Sequence, residues 1–85
     1  MYYVYLIKSI KKDFLYTGST PDLKRRFDEH NNKQNISTKS YAPFKLIYYE
    51  AYRNKKDALA RERMLKHKGS SIGFLKKRVK NSLND

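Results

Sequence analysis

Residues 15–31 read LYTGSTPDLKRRFDEHN. This stretch decides the fold, because an aromatic and β-compatible run reaches Gly18, meets Pro21 and passes at once into a helical pattern carrying Arg26 and His30. Pro21 suits the first position of a helix, where its missing N–H costs nothing, and Thr20 suits the cap before it. The spacing predicts a helix over 21–32 with Leu23 and Phe27 as its buried stripe. Arg26 and His30, also four apart, project together along an adjacent stripe. Gly18 is expected to allow a tight turn into that helix or the close approach of a ligand.

Working back, the polar SIKKD at 9–13 separates FLYTGS from YYVYLIK at 2–8, a spacing that suits a hairpin of two antiparallel strands. Alternation puts Tyr3, Tyr5 and Ile7 on one face and Tyr2, Val4 and Leu6 on the other. Both faces are apolar, so this strand is expected at the centre of the sheet, with Tyr5 and Tyr16 on neighbouring strands. Working forward, NNKQNISTKSYAP at 31–43 is polar and reads as a long loop, with 33–43 expected to order on binding. FKLIYYEAY at 44–52 makes a third strand, and NKKDALARERMLKHK at 54–68 a helix capped by Asn54, with Asp57 as a weak capping-box acid. Glu62 falls on the core-facing side of that helix, between Ala58 and Leu59, with Arg61 near the same margin. A carboxylate there needs an ion pair or a bound cation. SSIGFLKKRVKNSL places Ile72, Leu75 and Val79 at helical spacing. The expected fold is therefore α+β: a small, mainly antiparallel three-stranded sheet flanked by helices, order β-β-α-β-α-α, in a single domain over 1–85.

Lys and Arg total 20 against 8 Asp and Glu, a net charge of +12. Such an imbalance costs self-repulsion, and its usual reason is a polyanionic partner, most often nucleic acid. The absence of cysteine excludes disulfides, thiolate metal sites and a cysteine nucleophile. No apolar run approaches the roughly 20 residues that span a bilayer, and the N-terminus lacks the pattern of a secretory leader. A cytoplasmic protein without membrane attachment is expected, with association to the nucleoid left open. A monomer or weak homodimer is the expected state.

The chain resembles the GIY-YIG nuclease family, and in particular its small stand-alone members, over nearly all of residues 2–79. YVY places Tyr5 at the tyrosine that ends the first family motif. YTG matches the second motif, with Tyr16 and Gly18 at its tyrosine and glycine. The helix arginine lands on Arg26, ten residues after Tyr16, and the helix histidine on His30. The metal-binding glutamate of a later helix is matched by Glu62 in ALARERMLK. Tyr3-Val4 replaces the Gly-Ile of the first motif and Thr17 the isoleucine of the second, both at strand positions where β-compatible residues serve.

The resemblance implies hydrolysis of phosphodiester bonds in DNA, RNA not being excluded, in a repair or recombination setting. Water attack on phosphorus needs a proton acceptor, stabilisation of the non-bridging oxygens and help for the departing 3′ oxygen. Family likeness makes Tyr5 the general base, its pKa of about 10 lowered by the Arg26 cation. Arg26 forks onto the phosphate, Glu62 holds one Mg²⁺ or Mn²⁺, and Tyr16 and His30 orient phosphate or water. Lys24, Arg25, Lys33 and Lys39 are candidate phosphate contacts. With 85 residues there is no room for an appended reader domain, so modest sequence preference and selection of branched, flapped or single-stranded features are expected. Two other readings stay open. One is a binding module that keeps the fold and grips nucleic acid with little or no turnover. The other is a protein whose LKKRVK segment docks on an acidic partner. Each residue also has an ordinary role, since tyrosines in small sheets are mostly packing residues and a histidine at a helix end favours the helix dipole.

Overall fold

A computed structural model describes residues 1–85. Three strands, β1 (Tyr2–Ser9), β2 (Leu15–Thr20) and β3 (Phe44–Tyr52), form one antiparallel sheet in the order β2-β1-β3. Strand β1 is central, as its two apolar faces require. Helix α1 (Leu23–Asn31) follows β2; α2 (Lys55–His67), α3 (Gly69–Arg78) and the single turn α4 (Lys80–Leu83) follow β3. A 3-10 turn at Lys39–Tyr41 precedes β3.

The alternation of β1 divides the core. Val4 and Leu6 pack with Ala58, Leu65, Leu75 and Val79 beneath α2 and α3. Tyr5 and Ile7 pack on the other face with Ala42 and Phe44, flanked by Leu23 and Phe27 of α1. Ser9 closes the hairpin: its hydroxyl accepts from the Lys12 amide at 3.1 Å and donates to the Tyr41 carbonyl at 2.6 Å.

Three local expectations need correction. Helix α1 starts at Leu23, not at Pro21, because Asp22 is the better cap: its carboxylate accepts from the Arg25 amide at 3.1 Å. Thr20 instead accepts from the Asp22 amide, turning the chain just before the helix. The polar loop after α1 is pinned without any ligand. Thr38 is wholly buried, Asn31 accepts from the Phe44 amide at 2.6 Å, and the Tyr41 ring stacks on Phe14 at 3.7 Å. The last helical stretch breaks at Val79, whose side chain turns into the core.

Helix α2 begins where Asn54 accepts from the Lys56 amide at 2.8 Å, and it crosses one row of the sheet. Val4 pairs with Ser19 on one side and with Glu50 on the other. Above that row, the small side chain of Ala58 lets the helix approach. Arg61 then forks onto Glu50, with both carboxylate oxygens 3.1 Å from Nε, while the neighbouring Glu62 reaches Ser19. Tyr48 and Tyr52 also donate to Glu50, so its half-buried charge is well partnered.

Candidate active site

Gly18 explains how two tyrosines and a histidine come together. It pairs with Tyr5 across β1 and β2, and the Tyr5 ring lies over its bare backbone: a Cβ at Gly18 would stand 2.6 Å from Tyr5 Cζ. Its φ is not positive. The expectation of a turn or ligand approach is therefore corrected: glycine is required by a neighbouring side chain, not by backbone conformation.

The ring folded over Gly18 points its hydroxyl at His30. The distance from Tyr5 Oη to His30 Nε2 is 2.8 Å, and His30 Nδ1 is 2.8 Å from Thr38 Oγ1. His30 is the one fully buried residue of α1, while Leu23 and Phe27 are only half-buried. The expected division of the helix is thus reversed, with the polar side chain deepest. Tyr16 completes the cluster, its ring 5.2 Å from that of His30 and 6.5 Å from that of Tyr5.

Electrostatics fixes the protonation states. Burial, reinforced by the Arg26 cation, depresses His30 from 6.5 to about 4, so the ring is neutral at pH 7. Burial also pushes Tyr5 up to about 12, outweighing the opposing pull of Arg26. The expected lowering of Tyr5 is therefore corrected. The hydroxyl of a residue that is 2% exposed loses more from desolvation than a half-buried guanidinium returns. Because the Arg26 guanidinium can only donate to the phenol oxygen, the proton assignment that suits all partners has Tyr5 O–H donating to Nε2 and Nδ1–H donating to Thr38. Arg26 also donates to Glu29 Oε1 at 2.9 Å.

Glu62 arrives from the opposite face. Its Oε1 accepts from Ser19 Oγ at 2.8 Å and its Oε2 lies 3.0 Å from Lys66 Nζ. The Lys66 ammonium in turn sits over the Tyr16 ring, 5.2 Å from its centroid. The Glu62 charge also acts on Tyr5, so groups from both faces converge at the outer strand β2. Beside them a hollow of about 380 Å³ is lined by Tyr16, Thr17, Leu65 and Lys66.

No group of three His, Cys, Asp or Glu side chains lies close enough to cage a metal. One half-buried carboxylate held by a serine hydroxyl does fit a hard divalent ion that keeps its waters and takes further oxygens from a phosphate. Of the expected phosphate contacts, Lys24 is paired with Asp28 at 3.1 Å and Arg25 with Glu29 at 2.6 Å, within α1 itself. Lys33 follows the helix with a φ of 62°, and Lys39 opens the 3-10 turn. None of these four hydrogen-bonds to Tyr5, Tyr16, His30 or Glu62.

Residues 1–78 match the GIY-YIG catalytic domain. The chain belongs to the GIY-YIG family. Its similarity extends to the UPF0213 protein of Clostridium perfringens (strain 13 / Type A), 42% identical over 67 residues that span 78% of this chain and 71% of that one. The UPF0213 protein of Staphylococcus saprophyticus subsp. saprophyticus is 39% identical, over 76% of this chain and 79% of its own. That of Pediococcus pentosaceus is 37% identical, over 89% and 82%. No solved structure matches. The membership identifies the domain as one of a nuclease family.

Three residues of this GIY-YIG site escaped the sequence reading. Ser19 had a signal, since alternation from Leu15 and Thr17 turns it toward α2. Lys66 had one too, standing four residues beyond Glu62. Thr38 had none, because nothing local in a polar loop says which hydroxyl a distant histidine will take.

Proposed function

We propose that this protein is a divalent-metal-dependent endonuclease that hydrolyses phosphodiester bonds in DNA, selecting structured features such as flaps and branches over fixed sequences. Substrates of that kind arise in repair and recombination. The observation that carries the reading is the buried hydrogen-bonded chain from Tyr5 through His30 to Thr38, set behind the half-exposed Tyr16 and Arg26. Any buried tyrosine hydroxyl needs a partner; here the partner is a neutral imidazole, a group able to accept the proton that hydroxyl carries.

Each residue then has a task. Arg26 receives a non-bridging oxygen, its fork matching the phosphate as charge grows. Tyr16 borders the phosphate and orients it. Glu62 holds one Mg²⁺ or Mn²⁺, which when bound offsets charge on the phosphate and on the departing 3′ oxygen. Full proton transfer from a phenol near 12 to an imidazole near 4 would cost roughly 11 kcal/mol, so Tyr5 does not rest as a phenolate. Tyr5 instead takes the proton of the attacking water in the same step in which it passes its own to His30 Nε2. The arriving phosphate's negative charge favours this by raising the basicity of the ring.

The closed Glu62–Lys66 pair favours a second reading, in which the fold binds nucleic acid with little turnover. One experiment separates the two. Labelled plain, single-stranded, flapped and branched DNA is incubated with Mg²⁺, Mn²⁺ or chelator, using the native chain and Glu62→Ala. Cleavage that needs metal and vanishes in the variant supports the nuclease. Salt-sensitive binding with no cleavage under either metal overturns it.

A further inference from the structure

Glu62 has two oxygens and both are taken. Ser19 holds Oε1, and the second is occupied by a cation that the chain itself supplies, Lys66 Nζ at 3.0 Å. An ordinary surface pair at this helical spacing is loose and screened. Here the carboxylate is withdrawn from water while the ammonium stays exposed: the side chain of Glu62 is 19% exposed and that of Lys66 37%. The ammonium is also steadied from another direction by the face of Tyr16. A lysine held between the carboxylate and a tyrosine of the site occupies the position from which a divalent ion would approach Oε2.

We propose that Lys66 is a competing counter-ion built into the site, which must leave Glu62 before a divalent cation can bind there. The inference rests on the metal reading of Glu62 and deepens it. Charge and reach make the exchange feasible. Lys66 carries one charge on a flexible four-carbon stem, and a phosphate entering beside Tyr16 and Arg26 offers it an alternative anion. Nucleic acid and metal therefore bind cooperatively: the phosphate draws Lys66 away, Glu62 is freed, and the ion gains oxygens from both. Without nucleic acid the site resists the ion, so idle exchange of metal at an unloaded enzyme is suppressed.

The test reads metal binding directly, without turnover. Mn²⁺ is titrated into the native chain, Lys66→Met and Lys66→Met/Glu62→Gln, with bound ion measured from the loss of the free Mn²⁺ electron-paramagnetic-resonance signal. Lys45→Met serves as the charge control, since it removes an equal charge from β3, the opposite edge strand. Methionine preserves the aliphatic stem, and circular dichroism verifies that each variant is folded. Lys66→Met is expected to bind Mn²⁺ roughly three- to tenfold more tightly than the native chain, while Lys45→Met shifts affinity less than about twofold. The gain is expected to vanish when Glu62→Gln is added. Equal affinities in Lys66→Met and the native chain, with binding lost in the Glu62 variant, overturn the competition and leave the metal site standing. A Lys45→Met gain as large as that of Lys66→Met also overturns it, by reducing the effect to net charge. Mn²⁺ binding that is indifferent to Glu62→Gln overturns both the competition and the metal reading beneath it.

Discussion

Replacing Gly18 by alanine tests whether the geometry of the site depends on one missing methyl group. The added Cβ would stand 2.6 Å from Tyr5 Cζ and 3.1 Å from Cε1, with the hydroxyl oxygen nearer still. Ordinary carbon contacts lie near 3.5–4.0 Å, so the ring must move by on the order of 1 Å. Tyr5 is 2% exposed and has no free space to enter. Overpacking of this kind costs about 1–3 kcal/mol, and the displaced hydroxyl leaves His30 Nε2, adding roughly 1–3 kcal/mol for an unsatisfied buried group. The reduced freedom of the unfolded chain returns about 0.5–1 kcal/mol. The net loss centres on about 3 kcal/mol, which lowers the melting temperature by roughly 12–25 °C for a domain of this size. Urea unfolding of native, Gly18→Ala, Tyr5→Phe and the double variant measures it. Because Tyr5→Phe removes the atom closest to the new Cβ, the two losses should fall short of additivity by about 1 kcal/mol or more. A Gly18→Ala loss below about 0.5 kcal/mol, or strict additivity with Tyr5→Phe, refutes the account.

The state of His30 makes stability sensitive to mild acid. Its folded pKa of about 4 lies below the usual 6.5, so the neutral ring stabilises the fold fully above pH 6.5 and the contribution fades as pH falls toward 4. Between pH 7.5 and pH 5, about 2 kcal/mol should be lost in urea unfolding, and a flat profile there would contradict a buried neutral ring. Nitrogen-15 spectra of His30 should report the Nδ1-protonated form at pH 7, and Nε2 protonation would reverse the direction of the Tyr5 hydrogen bond. Arg26→Lys keeps the charge but loses the fork, so single-turnover cleavage should fall on the order of 10²-fold while DNA affinity changes less than about threefold. Equal losses in affinity and rate would make Arg26 a ground-state contact.

The sheet was legible because its signals are short-range and redundant. Two apolar faces put β1 in the middle, and the hairpin spacing and the 44–52 run each name one element. Tyr5, Tyr16 and His30 do converge, and the Glu62 charge acts on Tyr5. Their protonation was not legible. Whether Arg26 lowers Tyr5 depends on how much water the hydroxyl loses, and that is set by Phe44, Ala42 and α1 packing around it. The role of Gly18 was hidden for a similar reason: a sequence shows that a glycine permits unusual backbone, but not that a ring from the next strand lies across it. Thr38 shows the same limit, since a polar loop looks mobile until a buried partner claims one of its hydroxyls.

Arg61 and Glu62 are consecutive, yet they grip opposite edges of the sheet, one through Glu50 on β3 and the other through Ser19 on β2. Helix α2 is thereby a crossbar with a fixed roll: turning it to ease one grip strains the other. The aim of the carboxylate at the front is consequently set from behind, by a guanidinium and two tyrosines gathered on Glu50. A change at Glu50 or Tyr52 retunes Glu62 without touching it, which makes the back of the molecule a place from which selection or design can adjust the front.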